Sequence, residues 1–160
     1  METRDIRILL HDIRSAHNVG SMFRTSDALG VSRIYLSGFT PCPTDRFGRP
    51  VKEIAKTALG AEQTIPWEYS KTPTKFVRTL QKQGFDIVGL EQDVRAVDYK
   101  TFRAKNKTLI IVGSEVAGLK KSLRDACDAL IDIPMHGKKE SLNVSVAFGI
   151  ALFRLFDHTV

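Results

Sequence analysis

Short apolar runs bounded by turn residues alternate along this chain with longer segments of helical period, and that rhythm constrains the fold more than any other feature. IRILL (6–10), RIYLS (33–37), DIVGL (86–90), TLIIVG (108–113) and ALIDI (129–133) read as strands, with a weaker one near 64–67. Helices are expected near 18–29, 51–58, 73–83, 119–126 and 143–156, the third punctuated by Pro73 at its start and Gly84 just past its end. The pattern predicts an α/β domain, a mostly parallel sheet flanked by helices. With no internal repeat and no linker long enough to divide it, residues 1–160 are expected to form a single domain.

Charge narrows the choice of partner. Lys and Arg number 24 against 18 Asp and Glu, a formal net charge of +6, which favours a polyanion. No apolar run approaches the roughly 18 residues that span a bilayer, and METRDIR lacks the apolar core of a signal peptide, so no membrane association and a cytoplasmic location are expected. Cys42 and Cys127 have no CxxC spacing and no His at zinc-ligand distance in sequence, so they read as idle thiols and no metal is expected. His11, His17, His136 and His158 are scattered and receive no catalytic role.

Ligands of open α/β sheets sit beyond the carboxyl ends of strands, so the segments just after the strands matter most. After the first strand comes HNVGSMFRTSD (17–27). With Asn18 as N-cap, Val19, Met22, Phe23, Ser26 and Leu29 share a packing face, leaving Gly20, Arg24 and Asp27 on another. Free helix N–H groups beside a guanidinium suit a phosphate, and Gly20 is expected to clear room for it. After TLIIV comes GSEVAGL (113–119), close to a phosphate-binding loop, but Leu119 stands where the required Lys belongs, which excludes a nucleotide triphosphatase. Its Glu115 either orients a substrate or caps the next helix. After ALIDI, Pro134 and Gly137 make an open turn, and Ser141 and Asn143 are capping-type residues before the last helix. The loop SGFTPCPTDRFGRP (37–50) has the length of a lid or binding loop, or of a solvated connector. No GxGxxG turn comes after the first strand, so a dinucleotide cradle is not expected.

In order and content these segments resemble the SPOUT class of RNA methyltransferases, in its SpoU or TrmH-type branch. NVGSMFR is similar to that family's first motif, N-x-G-x-x-x-R; VGSEVAGL resembles the second, with its G-x-E core; IPMHGKKESLNVSVAFGIALF resembles the third, with its S-L-N triplet. The likeness covers about 8–156, and the second motif departs from the common G-N-E-G only in Ser114 and Val116. No counterpart of the additional N-terminal RNA-binding domain of many relatives is expected in this sequence, and on that expectation tRNA is favoured over rRNA as substrate.

The resemblance implies a C-terminal deep trefoil knot and an RNA 2′-O-ribose methyltransferase using S-adenosylmethionine and releasing S-adenosylhomocysteine. It implies catalytic roles for Asn18, Arg24, Glu115, Ser141 and Asn143, and a cofactor pocket at Leu90, Gly113, Ile133, Met135 and Leu142. Arg24 is central in the family, but a guanidinium stays protonated, so a phosphate clamp suits it better than a general base. Arg46, Arg49, Lys52, Lys56, Lys138 and Lys139 are the remaining candidate RNA contacts. From Asn143 to Phe156 only Asn143, Ser145 and Arg154 are plainly polar, so that helix should be buried on more than one side. Relatives pair through this region, and a homodimer with AFGIALFRLF at its interface is expected. The alternatives are a non-catalytic module holding RNA or an adenosyl ligand, and a flavodoxin-like ligand domain, which leaves the three motifs unexplained.

Overall fold

The computed structural model describes residues 3–156; His158 lies outside them. In chain order the elements are β1 (Asp5–His11), α1 (Ala16–Ala28), β2 (Arg33–Ser37), α2 (Lys52–Ala58), α3 (Ala61–Thr64), β3 (Trp67–Ser70), α4 (Pro73–Lys82), β4 (Asp86–Leu90), β5 (Val97–Asp98), β6 (Lys107–Val112), α5 (Lys121–Ala126), β7 (Ala129–Asp132) and α6 (Val144–Phe156). The strands form one sheet in the order β3-β2-β1-β6-β4-β7-β5, and every neighbouring pair is parallel. All strands therefore end on the same edge. β6 inserts between β1 and β4, so the order turns back at the centre, where open sheets leave a crevice for ligands.

The central strands are buried on both faces, and the alternation of their side chains sorts the core into two. Ile6, Ile8 and Leu10 of β1 and Ile110 and Val112 of β6 join Val19, Met22 and Phe23 of α1 and Phe148, Leu152 and Leu155 of α6. Leu9 of β1 and Leu109 and Ile111 of β6 face the other way, against Val77 and Leu80 of α4 and Leu123 of α5. Among the described residues no helix is long and apolar enough to cross a membrane.

Several expectations need correction. The weak strand near 64–67 is displaced: Thr64 closes α3, and the strand runs over Trp67–Ser70. The two-residue β5 and the short α3 carry too little pattern to be seen in sequence. α1 begins before Asn18, because Ser15 is its N-cap and its hydroxyl accepts from the Asn18 backbone N–H at 3.2 Å. That leaves the Asn18 side chain free for other partners. Gly20, expected on the ligand-facing side, is instead buried against α2. A Cβ there would come closer than 3.0 Å to Thr57 Oγ1 and to the Ile54 carbonyl oxygen. Gly20 thus lets two helix backbones touch, and the Thr57 hydroxyl donates across that contact to the His17 carbonyl at 2.9 Å.

Candidate functional site

A cavity of about 310 Å³ opens beyond the carboxyl ends of β4, β6 and β7. Leu90, Gly113, Ile133, Met135 and Leu142, the residues expected around a cofactor, all line it. Four carboxylates, Glu91, Glu115, Asp132 and Glu140, stand in the same wall, and no Lys or Arg does. Apolar surface with an acidic margin suits a flat heterocycle that carries positive charge, and disfavours a polyphosphate.

The second motif forms one wall as a closed loop. Ser114 N–H donates to the Gly118 carbonyl at 3.2 Å and Gly118 N–H donates back to Ser114 at 2.9 Å. The Ser114 hydroxyl accepts from the N–H groups of Val116 and Ala117 at 3.2 and 3.3 Å. Gly113 is required here, because a Cβ would lie 2.6 Å from the backbone of Gly118 and Leu119. Gly118 has φ of +67°, and a side chain there would also strike the Glu91 carboxylate. Glu91 accepts from the Leu119 N–H and so ties this loop to the end of β4.

Glu115 projects from the loop toward the first motif. Its carboxylate accepts from the backbone N–H groups of Arg14 at 3.2 Å and Ser15 at 3.3 Å, and from the Asn18 side-chain amide at 3.3 Å. It therefore braces the turn before α1 and does not cap the helix after it. The Asn18 carbonyl oxygen in turn accepts from Asn143 Nδ2 at 3.3 Å. The Asn143 side-chain oxygen accepts from the Ser145 N–H at 2.9 Å and its hydroxyl at 2.6 Å, which caps α6. One chain of hydrogen bonds thus joins all three motifs. Burial alone would push the Glu115 carboxyl up, but hydrogen bonds from its own backbone N–H, Arg14, Asn18 and Ser15 outweigh it and hold the group below the ordinary carboxylate range.

Ser141 is exposed and lines the cavity. Arg24 does not. It lies exposed on α1, about 9 Å along the helix and roughly 120° around it from Asn18. Arg46 and Arg49 sit in the loop after β2, where their guanidinium groups lie 4.7 and 5.0 Å from the ring centre of Phe47, itself 65% exposed. That loop is structured: the Asp45 carboxylate accepts from the N–H groups of Phe47 at 2.8 Å and Arg49 at 3.0 Å and pairs with the Arg49 guanidinium at 2.9 Å. Lys52 and Lys56 come next on α2, and Lys138 and Lys139 lie before α6, all four exposed. Sequence reasoning missed Glu91, Asp132 and Glu140. The signal for Glu91 was its place directly after β4, at the same edge as the motifs.

The profile of the SpoU rRNA Methylase family matches residues 5–153. A 23S rRNA (guanosine-2′-O-)-methyltransferase RlmB of Ralstonia nicotianae is 32% identical over 157 residues, covering 96% of this chain and 59% of that protein. The chain thus spans about three fifths of the length of the curated relatives it matches. Among solved structures, the AdoMet-bound rRNA methyltransferase of Sinorhizobium meliloti superposes with a TM-score of 0.86 at 31% identity, covering 99% of this chain and 58% of that one. The A. aeolicus TrmH/SpoU tRNA modifying enzyme gives 0.83 at 25% identity, covering 96% and 74%.

Proposed function

The chain belongs to the SpoU rRNA methylase family, and from that premise we propose that it transfers a methyl group from S-adenosylmethionine to a ribose 2′-hydroxyl of RNA. The observation that carries this reading is the cavity in which all five expected cofactor residues meet beside an acidic margin. Bound there, S-adenosylmethionine supplies an electrophilic methyl carbon on a sulfonium. Leu90, Ile133, Met135 and Leu142 would hold the adenosine by apolar contact, with the Gly113–Gly118 backbone offering the polar groups. The carboxylates favour the positive end of the cofactor over the neutral product, S-adenosylhomocysteine.

Asn18, Glu115 and Asn143 act as positioning residues, since their side chains are engaged largely with one another. Ser141, at the cavity mouth, remains to meet the ribose. Arg24 stands on the RNA side as a phosphate clamp that eases negative charge on the attacking oxygen. The hydroxyl proton leaves to a phosphate oxygen or water, because the guanidinium does not accept it.

The same reading treats the chain as one cytoplasmic methyltransferase domain with the C-terminal knot. The knot is supported by the contact of the 91–106 segment with β7 and the residues after it: Glu91 N–H donates to Ile131 at 3.0 Å, Gln92 to Glu140 at 2.8 Å, and Arg154 of α6 to Lys100 at 2.9 Å. A homodimer through α6 is supported by Val146, Ile150 and Phe153, spaced as one helical stripe and exposed, while Phe148, Leu152 and Leu155 fill the subunit's own core. The expected preference for tRNA gains no support, because the relatives' names include both tRNA and rRNA enzymes.

Incubation with methyl-labelled S-adenosylmethionine and total RNA tests the proposal. Label is expected in RNA as 2′-O-methylribose. Cofactor binding without transfer would instead indicate a non-catalytic module. Arg24→Ala should leave cofactor affinity within a few fold and cut transfer at least a hundredfold, about 2.7 kcal/mol of transition-state stabilisation. Equal loss of both would contradict the clamp.

A further inference from the structure

A second cleft of about 280 Å³ opens on the same edge of the sheet, beyond β1, β2 and β3, and is lined by His11, Gly38, Tyr69, Lys71, Pro73, Thr74, Lys120, Ser122 and Leu123. Its lining differs in charge from that of the first: it includes two lysines and no carboxylate, with the Asp12 carboxylate adjacent, 3.4 Å from Lys120. The N-terminus of the ten-residue α4 stands at its rim with no side-chain cap and no acidic residue in its first turn. Pro73 has no N–H, and the first intrahelical bond is from Phe76 to Thr72 at 3.0 Å, so the N–H groups of Thr74 and Lys75 are open to a ligand.

His11 supplies the independent observation. Only 4% exposed, it lines the cleft, and its Nε2 is buried without a hydrogen-bond partner. Nδ1 is 2.7 Å from the Ser37 hydroxyl, and in the tautomer in which that hydroxyl donates the ring N–H lies on Nε2. The Asp12 carboxylate is 3.2 Å from Nε2, outside hydrogen-bonding geometry, and is also 3.4 Å from Lys120 and accepts from the Phe39 N–H at 2.9 Å. Asp12 holds this place with a strained φ of +57°. Burial pushes the His11 imidazole down, while Asp12 pulls it up and Lys120 pushes it down further, with the balance below the ordinary imidazole range.

A buried ring nitrogen without a hydrogen-bond partner, two ammonium groups and an uncapped helix start converge on a space about nine water volumes in size, at ~30 Å³ each. We infer that this cleft binds a phosphate group, and, resting on the methyltransferase reading, that the phosphate is a backbone phosphodiester of the RNA substrate. The 113–120 segment is the partition between the two cavities, with Glu115 and Gly118 on one and Lys120 on the other. A strand whose ribose enters the acidic cavity would cross this partition and set a neighbouring phosphate on Lys71 and Lys120. Of the remaining hydroxyls in the lining, those of Thr74, Ser122 and Tyr69, the last donates to the Gly38 carbonyl at 2.9 Å.

The test uses the whole chain, isotope-labelled so that the His11 imidazole and the Thr74 amide are followed by magnetic resonance. Two probes are titrated: a short single-stranded RNA of mixed sequence and inorganic phosphate. RNA is expected to shift both signals saturably, and phosphate to compete with it. The double variant Lys71→Ala, Lys120→Ala should bind RNA at least tenfold more weakly, with the slope of log K against log salt shallower by about 1.4, two contacts at roughly 0.7 each. S-adenosylmethionine affinity should be unchanged in that variant, which keeps folding and the first cavity under control. If neither probe moves the two signals, the cleft is no phosphate site. If phosphate alone moves them, the site stands and the RNA assignment falls. If RNA moves them but no methyl transfer occurs, the catalytic reading fails and this one survives.

Discussion

Gly20→Ala separates two accounts of the first motif. If the glycine merely clears space for a ligand at a solvent-facing position, alanine should stabilise the helix by about 1 kcal/mol through propensity. The structure dictates the opposite sign. The added Cβ would lie closer than 3.0 Å to both the Thr57 hydroxyl and the Ile54 carbonyl oxygen, and 3.1 Å from the Ala58 nitrogen. Thr57 can rotate and lose its bond to His17, but the carbonyl belongs to the α2 backbone, so the helices must separate. Overpacking of this kind costs up to about 3 kcal/mol, and subtracting the propensity gain leaves a net loss of about 2 kcal/mol. In urea, at a slope of about 2 kcal/mol/M, the unfolding midpoint should fall by roughly 1 M. Gly20→Ala combined with Thr57→Ala should recover only part of the loss, since the carbonyl contact remains. A midpoint that rises in the single variant would refute the packing account.

Asn18→Ala breaks the link between Glu115 and Asn143, and transfer should fall at least tenfold while cofactor affinity, measured by calorimetry, moves only a few fold. Glu115 has a carboxyl held below its unfolded value of 4.5, so its contribution to stability is present above that pH and is lost as pH falls through the lower folded value. Glu115→Gln should therefore flatten the acid limb of the stability profile below about pH 4.5, as followed by circular dichroism. Burial, with Asp128 adding to it, pushes the Cys127 thiol up to about 12. At pH 8 only about one such thiol in ten thousand is ionised, so iodoacetamide should label Cys127 far more slowly than the unfolded chain.

Much of this molecule is legible in the sequence because the strands are continuous apolar runs. RIYLS and DIVGL fall on β2 and β4 to the residue. The five expected cofactor residues come from the resemblance to the family's motifs; Leu90, Gly113, Ile133 and Met135 lie at or just beyond strand ends that a parallel sheet brings to one edge, whereas Leu142 stands just before α6. Gly20 is misread because periodicity assigns a residue to a face but says nothing of what occupies that face, and α2 arrives from another part of the chain. Asn18 is misplaced as a cap because Ser15 competes for the same role, and only the distant Glu115 and Asn143 decide between them. The acidic character of the cavity is hidden for a related reason: Glu91, Asp132 and Glu140 look like solvated charges until the strand end and loops carrying them converge.

The bond between Asn18 and Asn143 spans 125 positions, and that between Arg14 and Glu115 spans 101. A polypeptide emerging from the ribosome can build β1, α1 and β2 early, yet the crevice remains unassembled until Asn143 is synthesised. Contacts so remote in sequence form slowly. During translation, therefore, the nascent chain is expected to pass through a stage in which most of the scaffold exists and the cofactor proposed for the crevice still has nowhere to bind.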